Sequence, residues 1–317
     1  HQVLAQDHKN PVLMSIWDEI KGSFRHGTAL TRLMYVNGAI FLLIKIIEVI
    51  GVLTSSPGLA TAVISNLAVP ASTSALALKP WTPVTYMFTH QGFIHLLFNL
   101  LWLWWFGKIF LSYLDQRKLV SLYIMGGLAG ALLYIIVFNI FPAFASAVNV
   151  SIALGASASV MALVIATAAY LPDLELHLLF FGRVKLKYLA LVTFLITSVF
   201  DFSVNTGGKI AHIGGAVMGF AYGQGLRNGK DFGAWLNRIL DFFVNLVKPG
   251  KRLRVKYKKT GASFNAQKTK TDHEYNSVKA ERQKEIDHIL DKISKGGYDS
   301  LTRVEKAILF SESQKKG

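Results

Sequence analysis

Two residues able to do covalent chemistry lie inside apolar stretches that have little other use for them: Ser157 in "LGASASV" and His212 in "AHIGGAVMG". A serine hydroxyl becomes a nucleophile when an imidazole nitrogen within hydrogen-bond reach takes its proton. The flanking residues supply a way to bring the two together. Gly155, Ala156 and Ala158 on one stretch, and the GxxxG pair Gly215 and Gly219 on the other, let two helices approach backbone to backbone. A nucleophile also needs donors for the charge that develops on a carbonyl oxygen. His95 and Asn99 in "HQGFIHLLFNLLWLWW" are four apart, share one helical face and can donate toward one point. Each feature alone has a plainer explanation: small residues at a packing face, a hydrogen-bonded core histidine, and a His95 and Asn99 pair satisfied by each other.

The elements that must position these residues follow from composition. The chain of 317 residues is 52% hydrophobic and 17% charged, with positive mean hydropathy, more apolar than one water-soluble core needs. Six apolar segments approach the ~20 residues that cross a hydrocarbon core of ~30 Å. They lie near 33–54, 92–113, 119–141, 151–171, 186–204 and 208–226. The expected fold class is an all-α polytopic membrane protein. Lys and Arg alternate with these segments. Lys9, Lys21, Arg25 and Arg32 precede the first, Lys108, Arg117 and Lys118 follow the second, and Arg183, Lys185 and Lys187 follow the fourth; the other connections hold Lys79, none, and Lys209. Short basic loops stay cytoplasmic, so both termini are expected in the cytoplasm of a multi-pass protein of the cell membrane.

The net charge of +15 is concentrated in the tail, where 21 of the 34 basic residues lie after Leu226 against 11 acids. No aromatic-interleaved recognition unit accompanies it, so nucleic acid is not the expected partner. In "DFGAWLNRILDFFVNLVK", Phe232, Trp235, Leu236, Ile239, Leu240, Phe243, Leu246 and Val247 recur at helical spacing, which predicts an amphipathic helix in the membrane interface. The polybasic run 251–259 suits anionic lipid headgroups. A polar linker is expected over 260–280, its most polar part from Ala262 to Ser277. A small helical hairpin over 281–317 follows, with Ile286, Ile289, Leu290 and Ile293 before Gly296 and Gly297, and Leu301, Val304, Ile308 and Leu309 after Ser300, which can cap the second helix. Such a hairpin is too small for a large core and is expected to dock on a partner. At the other end, 1–29 forms a cytoplasmic or interfacial segment with Leu13, Ile16, Trp17, Ile20 and Phe24 on one face. No secretory signal peptide is read there. The core spans 30–226, and the amphipathic helix and basic run 227–259.

Cysteine is absent, which removes disulfides, thiolate metal sites and a cysteine nucleophile. Lys45 and Glu48, three apart, read as a structural ion pair. Asp201, near the end of the fifth segment, is a minor candidate for orienting His212. No HExxH occurs and no inverted repeat is visible, which counts against a metalloprotease and a transporter; neither metal nor cofactor is expected.

Taken together, these motifs resemble the rhomboid intramembrane serine proteases, of the bacterial kind with a six-span core and a basic C-terminal cytoplasmic extension. The resemblance covers roughly 30–226, with "WTPVTYMFTHQGFIHLLFNLLWLWW", "GASA" and "AHIGGAVMG" in the family's order. The GxSx motif matches at Gly155 and Ser157, the catalytic histidine at His212, the HxxxN pair at His95 and Asn99, and a preceding histidine at His90. The resemblance implies a six-helix bundle, a Ser157 and His212 dyad without a third acid, an oxyanion site of the Ser157 N–H, Asn99 and His95, and cleavage of a peptide bond in or beside a transmembrane segment. Two departures stand out. Met161 lies where many rhomboids have a tyrosine that packs on the histidine, and Thr82 follows Trp81 where the family has arginine. The alternative is a catalytically silent relative that binds transmembrane helices. The segment from Ile286 to Ser311 resembles a tail on some bacterial rhomboid homologues.

Overall fold

The computed structural model describes residues 16–179, 181–200, 202–203, 205–247 and 272–313. The chain divides into two units, 1–250 and 251–317. The polybasic run 251–259, Leu13, Lys9 and Asp201 lie outside the described residues.

The first unit opens with α1 (Ile16–His26), α2 (Ala29–Leu53) and α3 (Gly58–Leu67), then β1 (Val69–Pro70), α4 (Thr73–Leu78) and α5 (Thr82–Thr85). The long helices α6 (Phe93–Tyr113) and α7 (Gln116–Ile140) follow, then β2 (Ile152–Ala153) and α8 (Ser157–Tyr170). A hairpin of β3 (Glu175–Leu178) and β4 (Gly182–Lys185) leads to α9 (Leu186–Phe194), which runs into a π-helical turn, Leu195–Val199. The unit ends with α10 (Thr206–Arg227) and α11 (Ala234–Val247).

The chain is an all-α polytopic membrane protein. Helices α2, α6 and α7 are long and apolar enough to cross a bilayer; at 1.5 Å per residue they extend ~37, ~31 and ~37 Å. Their outer faces bear Leu42, Leu53, Leu101, Leu132 and Ile140, all exposed, as fits hydrocarbon rather than water outside. Helix starts follow local chemistry. Thr28 caps α2 by accepting from the Thr31 N–H at 3.3 Å, and Asp115 caps α7 by accepting from the Lys118 N–H at 2.9 Å. Asn205 caps α10 from the left-handed region at φ 53°, a conformation that asparagine tolerates.

Two expected spans come out shorter. The fourth, expected from 151, becomes helical only at Ser157, because Ser151 to Ala156 is occupied otherwise. Val69 pairs with Ala153 and Pro70 with Ile152, and the Ala71 N–H donates to the Ser151 carbonyl at 3.0 Å. The fifth, expected to 204, leaves α geometry at Leu195 and ends at Val199. Helix α8 is thus ~21 Å long, and nearly every residue after Ser157 is buried. It forms the axis of the bundle, with α7 and α10 packed along it.

On the Lys-rich side, Ser121 of α7 donates to the Asn237 side chain at 2.8 Å, and Arg117 pairs with Asp241 at 3.3 Å, which ties α11 back to α7. Leu236 of α11 is buried, while Trp235, Ile239 and Phe242 are exposed, so the helix is amphipathic as its spacing predicts. Lys45 and Glu48 pair at 2.7 Å. Ile20 and Phe24 of α1 are both exposed.

The second unit is a hairpin of α12 (Asp272–Gly296) and α13 (Arg303–Ser313). Its first helix starts inside the segment 260–280 expected as linker. Ile289 and Leu301 are buried, whereas Leu290 and Val304 are exposed. Thr302, rather than Ser300, caps α13. The Glu305 carboxylate accepts from the Thr302 N–H at 2.7 Å and the Thr302 hydroxyl accepts from the Glu305 N–H at 3.4 Å, a capping box two residues beyond the expected one. Ser300 instead donates to the Gly297 carbonyl at 2.7 Å.

Candidate active site

Ser157 is the first residue of α8, so its backbone N–H belongs to the group of helix N-terminal donors without an intrahelical acceptor. The segment before it is fixed at several points. Gly155 sits at φ 122°, a conformation that demands glycine, and a Cβ there would lie 2.7 Å from His95 Cε1. The Gly155 N–H donates to the Tyr86 carbonyl at 2.9 Å, and the Ala156 N–H donates to His90 Nε2 at 3.2 Å. His90 is fully buried; since Nε2 accepts, its hydrogen resides on Nδ1. The Tyr86 hydroxyl donates to the Gly127 carbonyl at 2.5 Å, and Tyr134 reaches Ser151 at 2.7 Å. Both contacts tie this segment to α7.

His212 reaches the same place from α10. A Cβ on Gly215 would collide with the Ala158 carbonyl oxygen, and one on Gly219 with that of Ala162. Gly223 repeats the pattern a turn later, 2.5 Å from the Ala166 carbonyl oxygen. The predicted GxxxG face therefore extends to three glycines, all laid against the backbone of α8. The other flank of α8 is just as close: a Cβ on Gly130 of α7 would lie 2.5 Å from the Ala158 Cβ, and one on Gly126 would collide with the Ala162 Cβ.

Ser157, His212, His95, Asn99 and Met161 all line one cavity of about 510 Å³. Its other walls are mainly apolar: Phe98 and Trp102 of α6, Val160 and Val164 of α8, and Leu189, Val192 and Ile196 from α9 and its π turn. Asn99 is buried and uses one amide hydrogen on the His95 carbonyl at 2.8 Å, leaving a second donor. The plainer explanation of the pair, a mutual side-chain bond, is not what forms: Asn99 bonds the His95 backbone instead. The His95 ring lies edge-on to that of His90, centroids 5.3 Å apart. His212 Nδ1 is 3.2 Å from the Thr197 carbonyl oxygen. Among the described residues no hydrogen bond joins Ser157 to His212. Thr82 is buried and donates to the Lys79 carbonyl at 2.8 Å, and the Trp81 indole N–H donates to the Asn66 carbonyl at 2.8 Å.

A rhomboid domain family model matches residues 77–229, which contain every residue of this cavity. The chain carries a rhomboid domain over these residues. It is similar to rhomboid protein 1, mitochondrial, of Saccharomyces cerevisiae, at 31% identity over 146 residues, covering 43% of this chain and 39% of that protein. Residues 269–315 match a second model, described as a family of unknown function (DUF6576). The rhomboid domain supports a protease-like function within a membrane.

Three contributors to the site escaped the sequence reading. Tyr86 and Thr197 act through backbone carbonyls, which leave no mark on residue type. The third, the Gly126, Gly127 and Gly130 face of α7, was visible as "GGLAG", a second run of small residues in an apolar span.

Proposed function

We propose that this protein is an intramembrane serine endopeptidase that cleaves transmembrane segments of membrane proteins through Ser157 and His212. The observation that carries the reading is that Ser157 and His212 open on one apolar-walled cavity together with the donors His95 and Asn99.

In the reaction, a substrate carbonyl carbon approaches Ser157 Oγ. His212 removes the hydroxyl proton as Oγ attacks, and a tetrahedral intermediate forms. Its oxyanion meets the Ser157 N–H at the α8 N-terminus and the spare amide hydrogen of Asn99, with the His95 ring beside them. One such donor elsewhere accounts for ~2.7 to 4 kcal/mol of the barrier. Protonated His212 then gives its proton to the leaving amine, and water attacks the acyl-serine with His212 again as base. The absence of a resting Ser157 to His212 hydrogen bond is compatible with this chemistry, because such contacts tighten when substrate binds. The apolar walls from α6, α8 and α9 suit an apolar segment as substrate.

On the lysine and arginine pattern, both termini would face the cytoplasm and Ser157, at the start of the short helix α8, would lie toward the outer face of the cell membrane. The exposed face of α11 would lie in the inner interface, 251–259 would engage anionic headgroups, and the C-terminal hairpin would dock on a partner.

The test is turnover of a transmembrane reporter by purified protein, alongside labelling by a serine-directed activity probe. Ser157→Ala and His212→Ala are each expected to abolish cleavage, with labelling lost in Ser157→Ala. Equal cleavage in either variant overturns the reading, and an unlabelled, inactive parent protein favours the silent binder.

A further inference from the structure

A serine-histidine dyad without an acid leaves one question open: what holds the imidazole in the tautomer that can accept the serine proton. His212 Nδ1 lies 3.2 Å from the Thr197 carbonyl oxygen. A carbonyl only accepts, so Nδ1 is the donor, and in the neutral ring the lone pair is left on Nε2.

The contact exists because of how α9 ends. The helix widens into a π turn whose closing bond runs from the Phe200 N–H to the Leu195 carbonyl at 3.0 Å. Thr197 lies in this final turn, where carbonyls are left over by the helix and seek other donors. The Thr197 hydroxyl donates to the Thr193 carbonyl at 2.8 Å, which braces the turn from within. π-helical turns are rare in proteins. The helix end also carries partial negative charge, which favours a cation beside it.

We infer that the Thr197 backbone carbonyl is the positioning group for His212: it fixes the Nδ1–H tautomer, aims Nε2 at the cavity and offsets the positive charge the ring acquires. The inference rests on the Ser157 and His212 reading above. When His212 takes the serine proton, both ring nitrogens carry hydrogen and the Nδ1–H bond to Thr197 becomes charge-assisted. The contact is therefore stronger in the transition state than in the resting enzyme, which is the condition for accelerating a reaction. When the proton passes to the leaving amine, the bond returns to its neutral strength.

Two measurements on the full chain in detergent test this. In the first, histidine is labelled with 15N and the His212 ring signals are identified by their loss in His212→Asn. The expected result is hydrogen on Nδ1 and a bare Nε2 in the resting enzyme; hydrogen on Nε2 overturns the inference whatever the activity. In the second, Ser198 is replaced by its α-hydroxy-acid analogue, which turns the Thr197 carbonyl into that of an ester, a weaker acceptor. Here kcat is expected to fall about tenfold with KM and melting temperature held. Unchanged kcat overturns the inference, while turnover that still depends on Ser157 leaves the protease reading standing. If the ester chain fails to fold, the tautomer measurement still decides.

Discussion

Helix α8 has a tight side and a loose side. Toward α10 and α7 it is packed backbone to backbone: the carbonyls of Ala158, Ala162 and Ala166 face Gly215, Gly219 and Gly223, and Gly126 and Gly130 close the opposite flank. Toward α9 the same helix is separated by two hollows. One is the cavity of about 510 Å³ that holds Ser157 and His212, and the other a groove of about 390 Å³ walled by Ile165, Ala168, Leu191, Phe194 and Phe220. The difference assigns two tasks to two interfaces. The serine and the histidine sit on α8 and α10, whose spacing has no slack, so their separation is set by the fold. On the proposed function, the space for an apolar substrate would be on the side where larger side chains meet with gaps between them.

The largest expected effect comes from forcing the tight side apart. Gly219→Val places a branched side chain against the Ala162 carbonyl, which is backbone and cannot turn away. Overpacking of this kind costs ~3 kcal/mol or more, so the variant is expected to melt well below the parent in detergent and to lose turnover with it. Val217→Leu, two residues away and 65% exposed, is expected to leave both unchanged. Equal tolerance at the two positions would break the comparison.

Met161 tests the loose side from within the site. It is buried and lines the cavity, and tyrosine at this position is expected to push its ring into that space. A cost of ~1 kcal/mol in stability is expected from the added volume, with kcat unchanged because the Thr197 carbonyl already holds His212. A large gain in kcat would mean that the imidazole of the parent is poorly held. Leu191→Ala, on the groove wall and 51% exposed, should shift stability by less than ~0.5 kcal/mol and leave turnover intact.

How much of this was legible beforehand follows from where each signal resides. Apolar runs place the helices, because hydrocarbon penalises polar side chains wherever they fall along a span. Ser157, His212, His95 and Asn99 were legible for the same reason, and the cavity brings all four together. Gly215 and Gly219 gave the contact with α10. The shortening of the fourth span was not legible, since Ser151 to Ala156 is as apolar as a helix there would be. Its departure depends on pairing with Val69 and Pro70, more than 80 residues away. The π turn after α9 is hidden likewise, in a run of Leu195, Ile196 and Val199 that reads as plain span. At the C-terminal hairpin, Ser300 and Thr302 are both competent caps by type. Only the position of Glu305, three residues after Thr302, favours the second.

The smallest effect is expected where the loose side is pinned. Asp173 accepts from Lys187 at 3.0 Å and from Lys185 at 3.2 Å, linking the end of α8 to the start of α9. Those lysines, Lys187 foremost, hold the Asp173 carboxyl below its ordinary range. A depressed carboxylate contributes stability above the ordinary aspartate value and loses it as pH falls through the depressed one. Both partners are substantially exposed, however, and exposed pairs are screened by water and salt. Asp173→Asn is therefore expected to leave the melting temperature and turnover at neutral pH where they were, and to remove only a slight acid-side slope from the stability profile. A clear drop at neutral pH, erased by high salt, would show that α9 is anchored electrostatically at its start. The looseness of its contact with α8 would then be confined to the two hollows rather than belonging to the helix as a whole.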